Sequence, residues 1–345
     1  MMSGNSPGKP NSGRSWHTGT GKNAAPTTFI PAGSDTGLMF RPEKITEILD
    51  RRPFTYSVEI FPPRNGRPPD IILDKLESLS KLPIDFVSIT KGAMGSMRGG
   101  TVPIGYMISE RYDMNALVHF RCRDMNKREV ENLLVDHMYF GTKNILAILG
   151  DPLPGEPESD PDPVTHNRYA CELVQQITDM NNGRYISLKD RPESRRDGIR
   201  TDFCIGIACY PEAKDPDKEL FIMQEKTNAG ADFAITQMVF STDTYAAYVD
   251  ALRGRGIDIP VIPGVRPVTC MQHVEAAENI FGANVPDDLK QRLKGASDLE
   301  ARHICLEFSV DLINGLKERG APGAHMFTLN DVSMARDILD GLGKV

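Results

Sequence analysis

Eight short apolar runs, interleaved with longer amphipathic stretches, constrain the fold of this chain more than any other feature. The runs are Phe54–Phe61, Phe86–Thr90, Ala116–Cys122, Asn144–Leu149, Phe203–Tyr210, Phe233–Val239, Val261–Val265 and His325–Leu329. They have strand length, and apolar residues dominate them. Between them, helical spacing recurs over Asp70–Leu82, Lys127–Tyr139, Tyr169–Met180, Lys218–Ala229 and Thr242–Arg253. A longer helical stretch, Glu300–Glu318, precedes the last run. Asn126 followed by Glu129 reads as a capping box, and Gly141 and Gly230 read as helix stops. Strands alternating with helices imply parallel βαβ units. Eight such units predict an α/β fold, a (β/α)8 TIM barrel with an extra helix before the last strand, a doubly wound open sheet being the runner-up.

The 345 residues exceed the roughly 250 that such a barrel needs. The surplus falls in three places. Residues 1–41 are rich in Gly, Ser, Asn, Pro and Thr without apolar periodicity and read as a flexible or extended tail, leaving 42–345 as the barrel. Two stretches, the acidic, Pro-rich Asp151–Pro163 and the polar Asn181–Arg200, read as insertions. A composition 40% hydrophobic and 25% charged supports a large core and excludes a disordered chain. The net charge of -7 argues against a nucleic-acid partner. No apolar run approaches the ~20 residues that span a bilayer, so no membrane partner is expected. Six cysteines without a CxxC pair, and no secretory h-region, suit a cytoplasmic protein with reduced thiols.

In a barrel the catalytic groups gather at the C-terminal ends of the strands. Glu59, inside an otherwise apolar strand, stands out there. Desolvation raises a carboxyl's pKa and makes it a general acid near neutral pH, the alternative being a structural pair with Arg64, Arg121 or Lys91. Asp151 follows Gly150 at a strand end and either faces a ligand or caps a turn. His119 and Gln237 sit mid-strand and serve either as satisfied core residues or as ligand contacts. Lys91 reads as a salt-bridge or phosphate partner, with a Schiff-base role as the alternative. The sequence has no HExxH, metal-spaced His cluster, Walker loop or GxGxxG, so no metal site is expected.

Taken in order, SVEIFPPR, FVSITKGAMGSMRGGT, ILAILGDP, ACYPEA, KTNAGADFAITQMVF, IPGVRPVT and HMFTLND resemble the methylenetetrahydrofolate reductase family from about residue 52 to 343. Each piece is short, but all seven fall at expected strand ends. The resemblance implies reduction of 5,10-methylenetetrahydrofolate to 5-methyltetrahydrofolate, with FAD carrying hydride from NADH or NADPH, in the supply of methyl groups for methionine biosynthesis. It implies Glu59 as general acid, Asp151 near flavin and pterin, and Gln237 on the pterin. It places Thr90, Lys91, Ala93, His119, Gly150, Tyr169, Ala170, Tyr210, Glu219 and Lys226 against the flavin, and His273 and Asp331 against the folate. Several positions depart from the family pattern. Lys91 replaces a tyrosine, Leu149 an arginine, Glu219 an aspartate, His273 a glutamine, Ala277 an aromatic residue and Asp331 an arginine, while Ile222 and Glu225 replace polar and basic flavin contacts. The expected partner is a folate-type one-carbon carrier, and self-association into a homo-oligomer stays open. Other functional classes also stay open: reduction without FAD, a pterin-dependent methyl transferase, and a catalytically silent pterin- or flavin-binding subunit.

Overall fold

The computed structural model describes residues 40–343 apart from 93–95, 97, 153–161 and 188–194. The expected tail up to residue 39 and most of Asp151–Pro163 lie outside the described residues. In chain order the elements are α1 (Ile45–Arg51), β1 (Thr55–Ile60), α2 (Asp70–Leu79), β2 (Phe86–Ile89), α3 (Thr101–Tyr112), β3 (Asn115–Arg121), α4 (Lys127–Tyr139) and β4 (Asn144–Ile148). There follow α5 (Ala170–Asn181), β5 (Arg184–Ile186), β6 (Arg195–Asp197), β7 (Cys204–Cys209), α6 (Pro216–Asn228), β8 (Phe233–Met238) and α7 (Thr242–Gly254). The chain ends with β9 (Val261–Val265), α8 (Met271–Phe281), α9 (Asp287–Leu293), α10 (Asp298–Glu318), β10 (Gly323–Phe327) and α11 (Val332–Leu342).

Eight parallel strands close into a barrel in the order β1-β10-β9-β8-β7-β4-β3-β2. The eight expected strands are therefore the barrel strands, and the open-sheet alternative is excluded. Asn126 caps α4 by accepting from the backbone N–H groups of Arg128 and Glu129, and Gly141 and Gly230 follow their helices at φ +70° and +110°. The stretch Asn181–Arg200 contains the antiparallel hairpin β5–β6. Glu131 of α4 tethers that hairpin, accepting from Ile186 N at 2.6 Å and Arg196 Nη2 at 2.7 Å.

Side chains alternate across each strand, which sorts the barrel into two cores. Val58, Ile60, Val87, Ile89, Val118, Phe120 and Ile145 face the helices in the larger cluster. Phe86, Leu117, Leu146, Cys204, Phe233, Ile235 and Ile262 fill the barrel itself. One step further along the same inward rows, the residues become Ser88, His119, Gln237 and Gly264, and Glu59 joins them from β1. The floor is apolar, and polar groups enter only towards the mouth.

The floor is sealed by α1, whose Ile45 is fully buried within the inner cluster. Asn144 ties it down: its Oδ1 accepts from Ile45 N at 2.8 Å, and its Nδ2 donates to the Glu43 carbonyl at 3.0 Å and the Ala116 carbonyl at 3.2 Å. Asp202, bridged by Lys44 and Lys143, adds an ionic clasp at the same end. Asn144→Ala leaves the N–H of Ile45 and two carbonyls without these partners and is expected to cost about 2–3 kcal/mol. Thermal melting should fall by several degrees while activity per folded molecule holds; an unchanged melting temperature would contradict this account of the plug.

Among the described residues no helix is long and apolar enough to cross a membrane. All six cysteines are free, and four of them, Cys122, Cys204, Cys209 and Cys305, are buried.

Candidate active site

The mouth of the barrel holds a cavity of about 930 Å³. Of the residues expected from sequence, Glu59, Thr90, Lys91, His119, Gly150, Asp151, Tyr169, Ala170, Tyr210, Lys226 and Gln237 all line it. They come from β1 through β8 and the loops and helices between, Lys226 lying in the last turn of α6.

Glu59 is 8% exposed. Burial pushes its carboxyl up to about 8, against a partial counter-effect from the Arg266 guanidinium. Its Oε2 lies 3.5 Å from His119 Nε2. Burial drives that imidazole down to about 3, so it is neutral and no true ion pair forms. None of the structural partners anticipated for Glu59 takes it up. Arg121 pairs with Asp124 and donates to the Gly92 carbonyl at 3.4 Å. Lys91 Nζ stands 4.9 Å from the centre of the Phe120 ring, lowered to about 8 by burial and then by the charge of Arg121. Arg64 lies beside another cation, Arg98, whose own pKa is lowered first by burial and then by that neighbour.

Gly150 takes φ +93°, and a Cβ there would sit 2.5 Å from Arg121 Cδ, so the turn before Asp151 requires glycine. Arg123 Nε fixes the same turn by donating to the Gly150 carbonyl at 2.6 Å. Asp151 is exposed at the rim. Gln237 reaches the cavity through a bulge: the β8–β9 register slips between Ile235 and Met238, giving β8 one extra residue. Its Oε1 accepts from Met238 N at 2.9 Å.

Below these groups lies His325, with Nδ1 2.8 Å from Ser57 Oγ and Nε2 3.2 Å from Ser88 Oγ. Burial lowers it to about 3 and keeps it neutral. On the α6 side, Lys226 Nζ donates to the Ala208 carbonyl at 2.7 Å and sits over the Tyr210 ring.

Three expected site residues do not line the cavity. Glu219 faces a neighbouring space of about 250 Å³ and accepts from Tyr210 N at 2.9 Å and Tyr248 Oη at 3.1 Å. His273 Nδ1 is 3.1 Å from Thr269 Oγ1. Asp331 caps α11, accepting from Ser333 N and Met334 N. Ala93 lies outside the described residues. The cavity also gains residues that the strand-end reading did not select: Phe61, Arg123, Phe221, Arg266, Phe281, His325, Phe327 and Leu329. Arg266 and Phe327 carry a signal in the two-residue alternation, since each continues the inward row of its strand. Phe221 and Phe281 come from helices, where that alternation says nothing.

A closed (β/α)8 barrel with a large, mostly apolar cavity at its C-terminal mouth and one buried, protonated carboxyl inside it defines a barrel enzyme acting on a small organic ligand. The family model "Methylenetetrahydrofolate reductase" matches residues 44–343, and the chain belongs to that family. It is 28% identical over 293 residues to the 5,10-methylenetetrahydrofolate reductase of Salmonella typhimurium, covering 83% of this chain and 90% of that protein. It is likewise 28% identical over 297 residues to methylenetetrahydrofolate reductase 1 of Schizosaccharomyces pombe, covering 84% of this chain but 46% of the yeast protein. A solved structure, described as an uncharacterized Clostridium thermocellum protein that binds two copies of 5-methyl-5,6,7,8-tetrahydrofolic acid, matches at TM-score 0.58 and 17% identity, covering 86% of this chain and 99% of that one. That likeness supports the fold.

Proposed function

We propose that the chain reduces 5,10-methylenetetrahydrofolate to 5-methyltetrahydrofolate at the expense of NADH or NADPH, using bound FAD, with Glu59 as the general acid. The observation that carries this reading is the Glu59 carboxyl, held protonated inside the large cavity at the barrel mouth. A buried acid of pKa near the working pH is what opening a methylene bridge requires. The Glu59 O–H gives its proton to a bridge nitrogen of the folate; the C–N bond opens and leaves an electrophilic carbon ready for hydride. A mere binding protein has no need of such a group.

The cavity suits a flavin. Among the described residues Thr90 Oγ1 and His119 Nε2 are buried without hydrogen-bond partners, and both residues line it. Such orphaned atoms are costly unless a ligand's polar edge meets them. At the α6 side Lys218 and Lys226 line the cavity beside Glu225 and would supply the positive charge a pyrophosphate needs. A bound flavin would supply the hydride relay from the nicotinamide to the folate carbon. Gln237, carried inward by its bulge, would present its amide to the pterin, and Asp151 at the rim would serve the pterin and the flavin.

FAD titrated into the flavin-free protein should bind, with quenching of its fluorescence, and Thr90→Val should weaken binding roughly fivefold to tenfold through loss of one hydrogen bond. Failure to take up FAD would remove the flavin from this reading. Equal affinity in the variant would remove Thr90 from the site.

A further inference from the structure

Arg266 is a buried cation whose place none of the preceding chemistry explains. It directly follows β9 and is 8% exposed. Its Nη1 donates to the Phe327 carbonyl at 2.9 Å. Among the described residues its other guanidinium N–H groups have no partner, and the side chain lines the catalytic cavity. Buried guanidinium groups are retained where a negative charge faces them, at least at some stage.

Strand register identifies that charge. Phe327 of β10 lies directly opposite Glu59 of β1, and Met326 pairs with Val265 of β9. Glu59, Phe327 and Arg266 therefore form one row across three adjacent strands, with Arg266 anchored on the residue between. The other titratable and charged groups facing this row are few. His119 of β3 is 3.5 Å from Glu59, and His325 of β10 is held by Ser57 and Ser88. Lys91 and Asp151 stand farther up the cavity wall, and Lys226 is bound to the Ala208 carbonyl. His273 of α8 and Cys270 at the start of that helix lie in the field of Arg266. Both histidines beside Glu59 are neutral, which leaves Arg266 as the cation of this row.

We propose that Arg266 is a positioning residue for proton transfer: anchored on the Phe327 carbonyl, its guanidinium stabilises the carboxylate that Glu59 becomes on giving up its proton. This rests on the general-acid reading above. The Glu59 O–H bond breaks, an N–H bond forms on the folate nitrogen, and the negative charge left on Glu59 falls opposite Arg266. Hydride delivery then neutralises the folate cation, and water returns a proton to Glu59. Without the guanidinium the carboxyl would be a weaker acid, holding its proton to higher pH and releasing it less readily.

The test is an infrared titration of the Glu59 carboxyl band in substrate-free protein, with Glu59→Gln identifying the band. Arg266→Met and Arg266→Gln should each move its midpoint upward by about one pH unit, the size of a close charge interaction. In the same variants kcat for folate reduction should fall roughly tenfold, with the alkaline limb of its pH profile displaced upward and KM for NAD(P)H unchanged. Arg266→Lys should restore both midpoint and limb. Arg266→Gln keeps a donor for the Phe327 carbonyl, so it separates loss of charge from loss of packing. A midpoint that stays put or moves down in both neutral variants overturns the proposal. If Glu59→Gln is itself fully active, the general-acid reading fails instead.

Discussion

Glu59→Gln should lower the rate of methylenetetrahydrofolate reduction by roughly 10²–10⁴-fold, the range supplied by a positioned general acid. Gln is nearly isosteric and keeps a polar head in the cavity, but it has no proton to give. Flavin reduction by NAD(P)H involves no step at the folate bridge and should survive largely intact. A parallel loss of both half-reactions would point to a collapsed site rather than a missing acid. The substitution also has a signature in stability. The folded-state pKa of Glu59 lies near 8, above the ordinary 4.5, so the folded protein binds this proton more tightly than the unfolded chain. The stabilisation is complete below about pH 4.5 and is lost as pH rises through 8. Glu59→Gln has no such group, so its melting temperature should gain on that of the parent between pH 5 and 9. A gap that is constant across this range would mean that Glu59 is not buried as a neutral acid.

The second large effect is expected at Gly264→Ala. A Cβ at this position in β9 would lie 2.4 Å from the Thr236 carbonyl oxygen and 2.4 Å from Phe327 Cε2. One obstacle is backbone and the other an inward-facing ring, so neither yields without moving a strand. Overpacking of this kind costs about 2–3 kcal/mol. The damage reaches the site as well. Gly264 N donates to Thr236 Oγ1 at 2.8 Å, within the bulge that carries Gln237 into the cavity. The variant should melt several degrees lower, and its KM for the folate should rise more than its KM for NAD(P)H. Parent-like melting and parent-like KM values would show that this contact has more room than the geometry allows.

Much of this architecture is legible in the sequence because a barrel writes itself into two periodicities. Val58 and Ile60 face outward and Ser57 and Glu59 inward, and eight short apolar runs, separated by stretches of helical period, mark the eight strands. The polar residues that break the apolar rows, Glu59, His119 and Gln237, are the ones that meet in the cavity. Features that depend on distant partners are less legible. The seven residues of α1 are too short to show a helical period, and Ile45 seals the barrel only because Asn144, 99 residues away, holds its backbone. The hairpin β5–β6 lies in a polar stretch, and its tether, Glu131, belongs to a different helix. Glu219 and Asp331 are drawn away from the cavity by Tyr248 and by the N-terminus of α11, competition that no local pattern discloses. Arg266 follows the inward rule, yet its partner is set by the pairing of β1 with β10, which sequence spacing does not reveal.

The most direct measurement is of the product itself. Protein reconstituted with FAD and reduced anaerobically by NADH or NADPH should, on addition of 5,10-methylenetetrahydrofolate, be reoxidised in a single turnover. It should yield one equivalent of 5-methyltetrahydrofolate per reduced flavin, with Glu59→Gln reducing its flavin but forming almost no product. A parent protein that binds and reduces flavin yet leaves the methylene group unreduced would contradict the account.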